Sequence, residues 1–220
     1  GDNTLNNLSG GVISADGADG YAYAVLGNYG TDTIHNSGRI LGAIDLAGGD
    51  DVFDNKSGGV WDVGSTTYTD FGSGNDTLTN AAGGKVLLNG GQIAFSAGDD
   101  TVNNAGLIRM TDSVITMGGM VPLLMPLAAE VNAFNNSGTL QVVGSNVIDT
   151  DGGIFTNTGV VDFANGLTTD QLAIGGDLAG TGAMNIDVNL ASSASDMLVV
   201  DGDVAGNAVQ TVNVQFTGIP

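Results

Sequence analysis

The chain has 220 residues, with 24 acidic side chains against four basic ones and a formal net charge of −20. That balance excludes nucleic acid, which needs a basic footprint, and electrostatic docking on an anionic membrane. With 42 % apolar residues, 37 glycines and three prolines, it has material for a continuous core and many tight turns. The absence of cysteine suits a protein exported unfolded through an oxidising compartment, where a disulfide would obstruct transit.

A short pattern recurs along the chain: Asp or Asn (once Gly), any residue, a large apolar residue, any residue, Asn. In order, its copies are centred on Leu5, Ile34, Phe53, Leu78, Val102, Phe134 and Phe155, and end on Asn7, Asn36, Asn55, Asn80, Asn104, Asn136 and Asn157. After each Asn comes a glycine, then two apolar or small residues at alternate positions, such as Trp61 and Val63, or Ile108 and Met110. Period-two alternation with one apolar face is a half-buried strand. The anchoring glycines Gly11 to Gly159 span 148 residues in six steps, so the repeat is about 25 residues long, too short for a propeller blade. A third apolar site, Leu46, Phe71, Phe95 or Ile148, stands five residues before the pattern. Glycine-rich turns such as Gly72-Ser73-Gly74 follow it.

These features predict an all-β fold, a parallel β-helix of stacked coils with three strands each. The terminal Asn shares parity with the inward apolar residue, so Asn36, Asn55, Asn80, Asn104, Asn136 and Asn157 are expected to stack as a hydrogen-bonded ladder at about 4.8 Å spacing. Six to seven coils at that rise give a rod of roughly 30 Å. Coils are assigned to residues 1–165 and a β cap continuing the helix to 166–220. There, four alternating strands (172–174, 184–188, 198–200, 209–216) are expected to fold over the open end, which otherwise invites aggregation. No signal peptide or membrane-spanning apolar run is visible, and the chain opens in mid-repeat at Gly1-Asp2-Asn3, so a piece of a longer protein is expected.

Two stretches interrupt the repeat. One runs from Ala15 to Gly30 with three tyrosines, Tyr21, Tyr23 and Tyr29. The other, 117–129, carries no charge and two prolines. Insertions in solenoids gather on one face, often the binding face. Met120, Leu123, Leu124, Met125 and Leu127 are therefore candidates for partner contact. The alternative is that this stretch folds back on the rod as a satellite cluster.

Little points to catalysis. The only histidine, His35, falls in an outward strand position, and serine-nucleophile chemistry needs a histidine base held by a carboxylate. A glycosidase needs paired carboxylates, which 23 aspartates supply by chance. Calcium is the sharper alternative. Gly72-Ser73-Gly74-Asn75-Asp76-Thr77-Leu78 matches the core of calcium-binding nonapeptide repeats, and Asp51 and Asp100 stand in partial echoes of it. Stacking brings Asp51, Asp76 and Asp100 together, so backbone N–H groups of their own turns or a cation must offset their repulsion. No other cofactor is expected.

The C-terminal segment resembles a known family. Leu178, Gly180 and Gly182, the alternating Met184, Ile186 and Val188, and then Ser195-Asp196 with Leu198, Val200, Gly202 and Gly206 are similar to the pertactin-like end of classical (type V) autotransporter passengers of Gram-negative bacteria. The resemblance covers about 45 residues. It implies a right-handed parallel β-helix, an autochaperone role for the C-terminal segment, and display outside the cell from an outer-membrane barrel that this chain lacks. It also implies a non-catalytic adhesin or stalk whose partner is a host-surface or matrix protein, a glycan, or another copy of itself. A calcium-binding β-roll-like module and a polysaccharide-active β-helix enzyme are the alternatives.

Overall fold

The computed structural model describes residues 1–15, 23–65, 68–118 and 130–218. Every regular element among them is a β-strand. The strands form three walls of a solenoid. The first wall stacks residues 3–7, 32–36, 52–55, 77–80, 101–104, 133–136 and the end of the strand 145–157. The second stacks 12–14, 39–41, 60–64, 85–89, 107–111, 139–143, 160–162, 183–189 and 211–218. The third stacks 23–26, 43–45, 68–70, 92–95, 114–117, the start of 145–157, the start of 171–179, and 197–200.

All wall pairings are parallel, and along the first wall equivalent residues stand one above the other; the other walls keep this register except at local bulges such as that at Leu87 and Leu88. Leu5 lies over Ile34, Ile34 over Phe53, Phe53 over Leu78, and so on to Phe155. The sequence period sets this register, because a slip of one residue would turn every buried side chain to solvent. The chain makes about eight turns of roughly 25 residues, a stack of about 40 Å at β-sheet spacing.

The core is one continuous column. Ile40, Trp61, Val86, Ile108 and Leu140 are fully buried along the second wall, and Leu46, Phe71, Phe95 and Ile115 along the third. The large rings pack on one another, between coils for Phe71 and Phe95 (centroids 4.4 Å apart) and for Phe134 and Phe155 (5.2 Å), and across the interior of one coil for Phe53 and Trp61 (4.6 Å). Such pairs stabilise by about 0.5–1.5 kcal/mol beyond their burial. Glycine is required where turns of adjacent coils touch. Gly49, Gly74 and Gly98 adopt φ of 139°, 138° and 141°, and an added Cβ would strike the main chain of the preceding coil at each.

Two expectations need correction. Ile148 does not stand over Phe95; it pairs with Ile115, and Met117 is the residue over Phe95. The cause is an irregularity at 150–153, where Asp151 and Gly152 adopt φ of 50° and 78°. The four C-terminal strands do not fold across the open end. Residues 171–179, 183–189, 197–200 and 211–218 stack in parallel on the coils before them, which is why the rod is longer than the seven pattern copies indicate. Only the short hairpin between 183–189 and 194–195 is antiparallel. Residues 211–218 form the outer edge, with Val212, Val214 and Phe216 about half exposed.

Candidate functional site

Three buried polar columns and one outward polar wall carry what chemistry the rod has. The asparagine column runs at the corner between the first and second walls. Each Nδ2 donates to the Oδ1 of the next asparagine, from Asn7 through Asn36, Asn55, Asn80, Asn104 and Asn136 to Asn157, at 2.8–2.9 Å. The second amide hydrogen of each goes to a backbone carbonyl, for example Val60 O from Asn36 and Leu107 O from Asn80. Asn157 hands the series to Gln210, whose Oε1 accepts at 2.8 Å. These side chains are buried and hydrogen-bonded, so they are structural and offer nothing to a ligand.

At the opposite end of the first wall, a second column joins Asp32, Asp51, Asp76, Asp100 and Asn132. The backbone N–H of each residue donates to the Oδ1 of the next: Asp32 to Asp51 at 2.6 Å, Asp51 to Asp76 at 2.8 Å, Asp76 to Asp100 at 2.9 Å and Asp100 to Asn132 at 2.8 Å. Asp51, Asp76 and Asp100 therefore bond across coils instead of capping their own turns, whereas Asp32 Oδ2 also accepts from Asn28 N of its own turn at 3.2 Å. Asp51, Asp76 and Asp100 are 0 % exposed. The pattern contained this signal: the first, third and fifth positions share one parity, so an inward Asn requires an inward Asp. Gly153 ends the column, since an added Cβ there would strike Asn132 O.

The Oδ2 atoms of Asp51, Asp76 and Asp100 have no hydrogen-bond partner. Burial pushes these carboxyls up, to about 6 for Asp51, about 7 for Asp76 and about 6 for Asp100; the accepted backbone N–H opposes the shift and neighbouring acids add to it. Carbonyls of the adjoining turns that a calcium shell would need are engaged between coils: Gly48 O accepts from Gly30, Ser73 O from Gly49 and Ala97 O from Gly74. Among the described residues, no three acidic or imidazole side chains converge as a metal-binding group.

A related column explains the Ser195-Asp196 element. Ser113 N donates to Asn146 Oδ1, Gly144 N to Asp170 Oδ1, and Asp170 N to Asp196 Oδ1. Asp196 Oδ2 also accepts from Asp187 N at 2.8 Å, so this one buried carboxyl ties three late strands together. Its pKa is raised by burial, against the two N–H groups it accepts.

Outside, the first wall presents two rows of short side chains. Thr33, Val52, Thr77 and Thr101 form one, and His35, Asp54, Thr79, Asn103 and Asn135 the other. His35 Nδ1 lies 3.0 Å from Asp54 Oδ2, which also takes Lys56 Nζ at 2.8 Å. The His35 approach lacks hydrogen-bond alignment, and no hydroxyl among the described residues bonds the imidazole. On the third wall, Tyr68, Thr116, Asp149 and Asp151 border an open cleft of about 560 Å³. The candidates Met120, Leu123, Leu124, Met125 and Leu127 lie outside the described residues.

Comparison with family models, with curated proteins and with solved structures finds no match.

Proposed function

We propose that this chain is a non-catalytic, surface-displayed rod: an autotransporter-type passenger that acts as an adhesin or as the stalk of one. The observation that carries this reading is the parallel solenoid, in register along its first wall from Leu5 to Phe155, with a continuous core and coils stitched together by internal polar columns. Such a body is rigid along its axis and devotes its buried polar groups to holding itself together. What remains for recognition is a long wall of threonine, asparagine and aspartate side chains. Contacts on such a wall are weak singly and add over length. A host-surface or matrix protein, a glycan, or a second copy of the chain is the partner class this reading implies. The C-terminal resemblance to pertactin-like passenger ends supports export to the cell surface.

The test is attachment. Chain immobilised on beads should retain host cells or matrix components, and substitution of Thr79 and Asn135 by lysine, two coils apart, should abolish retention while lowering the melting temperature by no more than a few degrees, the loss of the Asn135–Asn103 hydrogen bond included. Retention that survives these substitutions would move recognition off this wall. No retention, with a monomer at all concentrations in scattering, would leave only the stalk. Turnover of a polysaccharide would overturn the non-catalytic reading.

A further inference from the structure

The buried aspartates hold an unresolved electrostatic problem that no partner among the described residues solves. Asp51, Asp76 and Asp100 occupy successive coils, fully enclosed, each with one oxygen bonded to a main-chain amide and the other without a partner. At coil spacing, ionised neighbours repel, and an uncompensated buried charge costs several kcal/mol. The charged groups acting on them are all acidic: Asp32 and Asp50 on Asp51; Asp100, Asp51 and Asp50 on Asp76; Glu130 and Asp99 on Asp100. The basic residues are elsewhere. Arg39, Lys85 and Arg109 belong to second-wall strands, and Lys56 pairs with Asp54. A cation is the poorer answer, because calcium takes 6–8 oxygens and each gap between coils offers two carboxyls beside turn carbonyls already engaged.

We propose that Asp51, Asp76 and Asp100 form a proton-holding column, so that the rod is locked in acid and loosened as they ionise. The neutral acid keeps Oδ1 as acceptor for the neighbouring coil's N–H and removes the repulsion between coils. The column also shows that a neutral group fits, since Asn132 occupies the same register and accepts from Asp100 N in the same way. Burial raises these groups above their unfolded value, so the folded chain holds more protons than the unfolded one between about pH 4 and pH 7. Stability is then fully present below the unfolded value, falls as pH rises from about 4 through the folded values of about 6 to 7, and is level above them.

The experiment follows melting temperature from pH 4.5 to pH 8.5 in chelator-treated buffer for the parent chain, for Asp76→Asn, and for the triple Asp51→Asn, Asp76→Asn, Asp100→Asn variant. Carboxyl carbon NMR of the parent runs alongside. The parent should lose stability from pH 4.5 to about pH 7 and level off above it, and three aspartate carboxyls should titrate near neutrality. Asp76→Asn should reduce the pH slope and the triple variant should abolish most of it, with a higher melting temperature than the parent at pH 8. If the triple variant does not fold, the single variant and the NMR titration decide. An unchanged slope in Asp76→Asn, or carboxyls that are all ionised at pH 5, would overturn the proposal. So would a calcium-dependent rise in melting temperature at pH 8 that Asp76→Asn removes, since a metal would then be the neutralising group.

Discussion

Replacing Asn80 by alanine tests the ladder where it is most enclosed. The side chain is 0 % exposed. Its Nδ2 donates to Asn104 Oδ1 at 2.8 Å and to Leu107 O at 3.0 Å, and its Oδ1 accepts from Asn55 Nδ2 at 2.8 Å. Each net hydrogen bond contributes about 1 kcal/mol, and a buried polar atom left unpaired costs about 1–3 kcal/mol more. Asn55 keeps Gly59 O and Lys85 O as acceptors, so the unpaired atom is Asn104 Oδ1, deep in the next coil. Asn80→Ala should therefore cost about 4–6 kcal/mol. For a chain of this size that is a fall in melting temperature on the order of 10–20 °C. Thr79→Ala, one residue away and facing outward, is the control and should stay within about 0.5 kcal/mol. Calorimetry or chemical unfolding read by circular dichroism measures both. Equal stability of the two variants would refute the claim that the asparagine column holds the coils together.

Other consequences are checked with the same assays. Gly98→Ala puts a Cβ into the main chain of the turn below and should destabilise by more than about 3 kcal/mol, whereas Gly58→Ala, which has open space at φ 83°, should cost only about 1–2 kcal/mol of left-handed strain. Removing 171–220 strips the cover from Ile148, Phe155 and Phe163, so the truncated rod should bind a hydrophobic dye and associate in scattering; a stable monomer would contradict the stacked role of those strands. Asp54→Asn breaks the outward contacts with His35 and Lys56 and should change stability by no more than about 1 kcal/mol, less at high salt.

Much of this architecture was legible because a solenoid repeats its instructions. Alternation gave the walls, glycine spacing gave the corners, and the shared parity of Phe53 and Asn55 gave the inward asparagine. The same parity applied to Asp51, yet aspartate reads so strongly as a turn residue that its burial was missed; neutralisation and bonding across coils override the usual preference for solvent. The displaced Ile148 has a local cause: Thr116 pairs with Asp149, so Thr150 is the residue level with Met117 and Phe95, and the turn from it to Gly153 is two residues shorter than the turns after Leu46, Phe71 and Phe95, so a count of five back from Gly153 lands on Ile148. The C-terminal strands were recognisable as strands, but alternation is identical in a strand that covers an end and one that extends the stack. Only pairing partners distinguish them. Asp196 stood out through its resemblance, while its bonds to Asp170 and Asp187 depend on contacts between strands that no local pattern encodes.

The central claim is that residues far apart in sequence ride directly above one another on the first wall. His35 and Thr156 are joined by an in-register series through Asp54, Thr79, Asn103 and Asn135. Five steps at strand spacing place their Cα atoms about 24 Å apart. The chain has no cysteine, so nitroxides attached at His35→Cys and Thr156→Cys report this pair alone. Electron–electron distance measurement should give a single narrow distribution centred near 24 Å, within the reach of the labels. A broad distribution, or one centred beyond about 35 Å, would contradict the in-register solenoid.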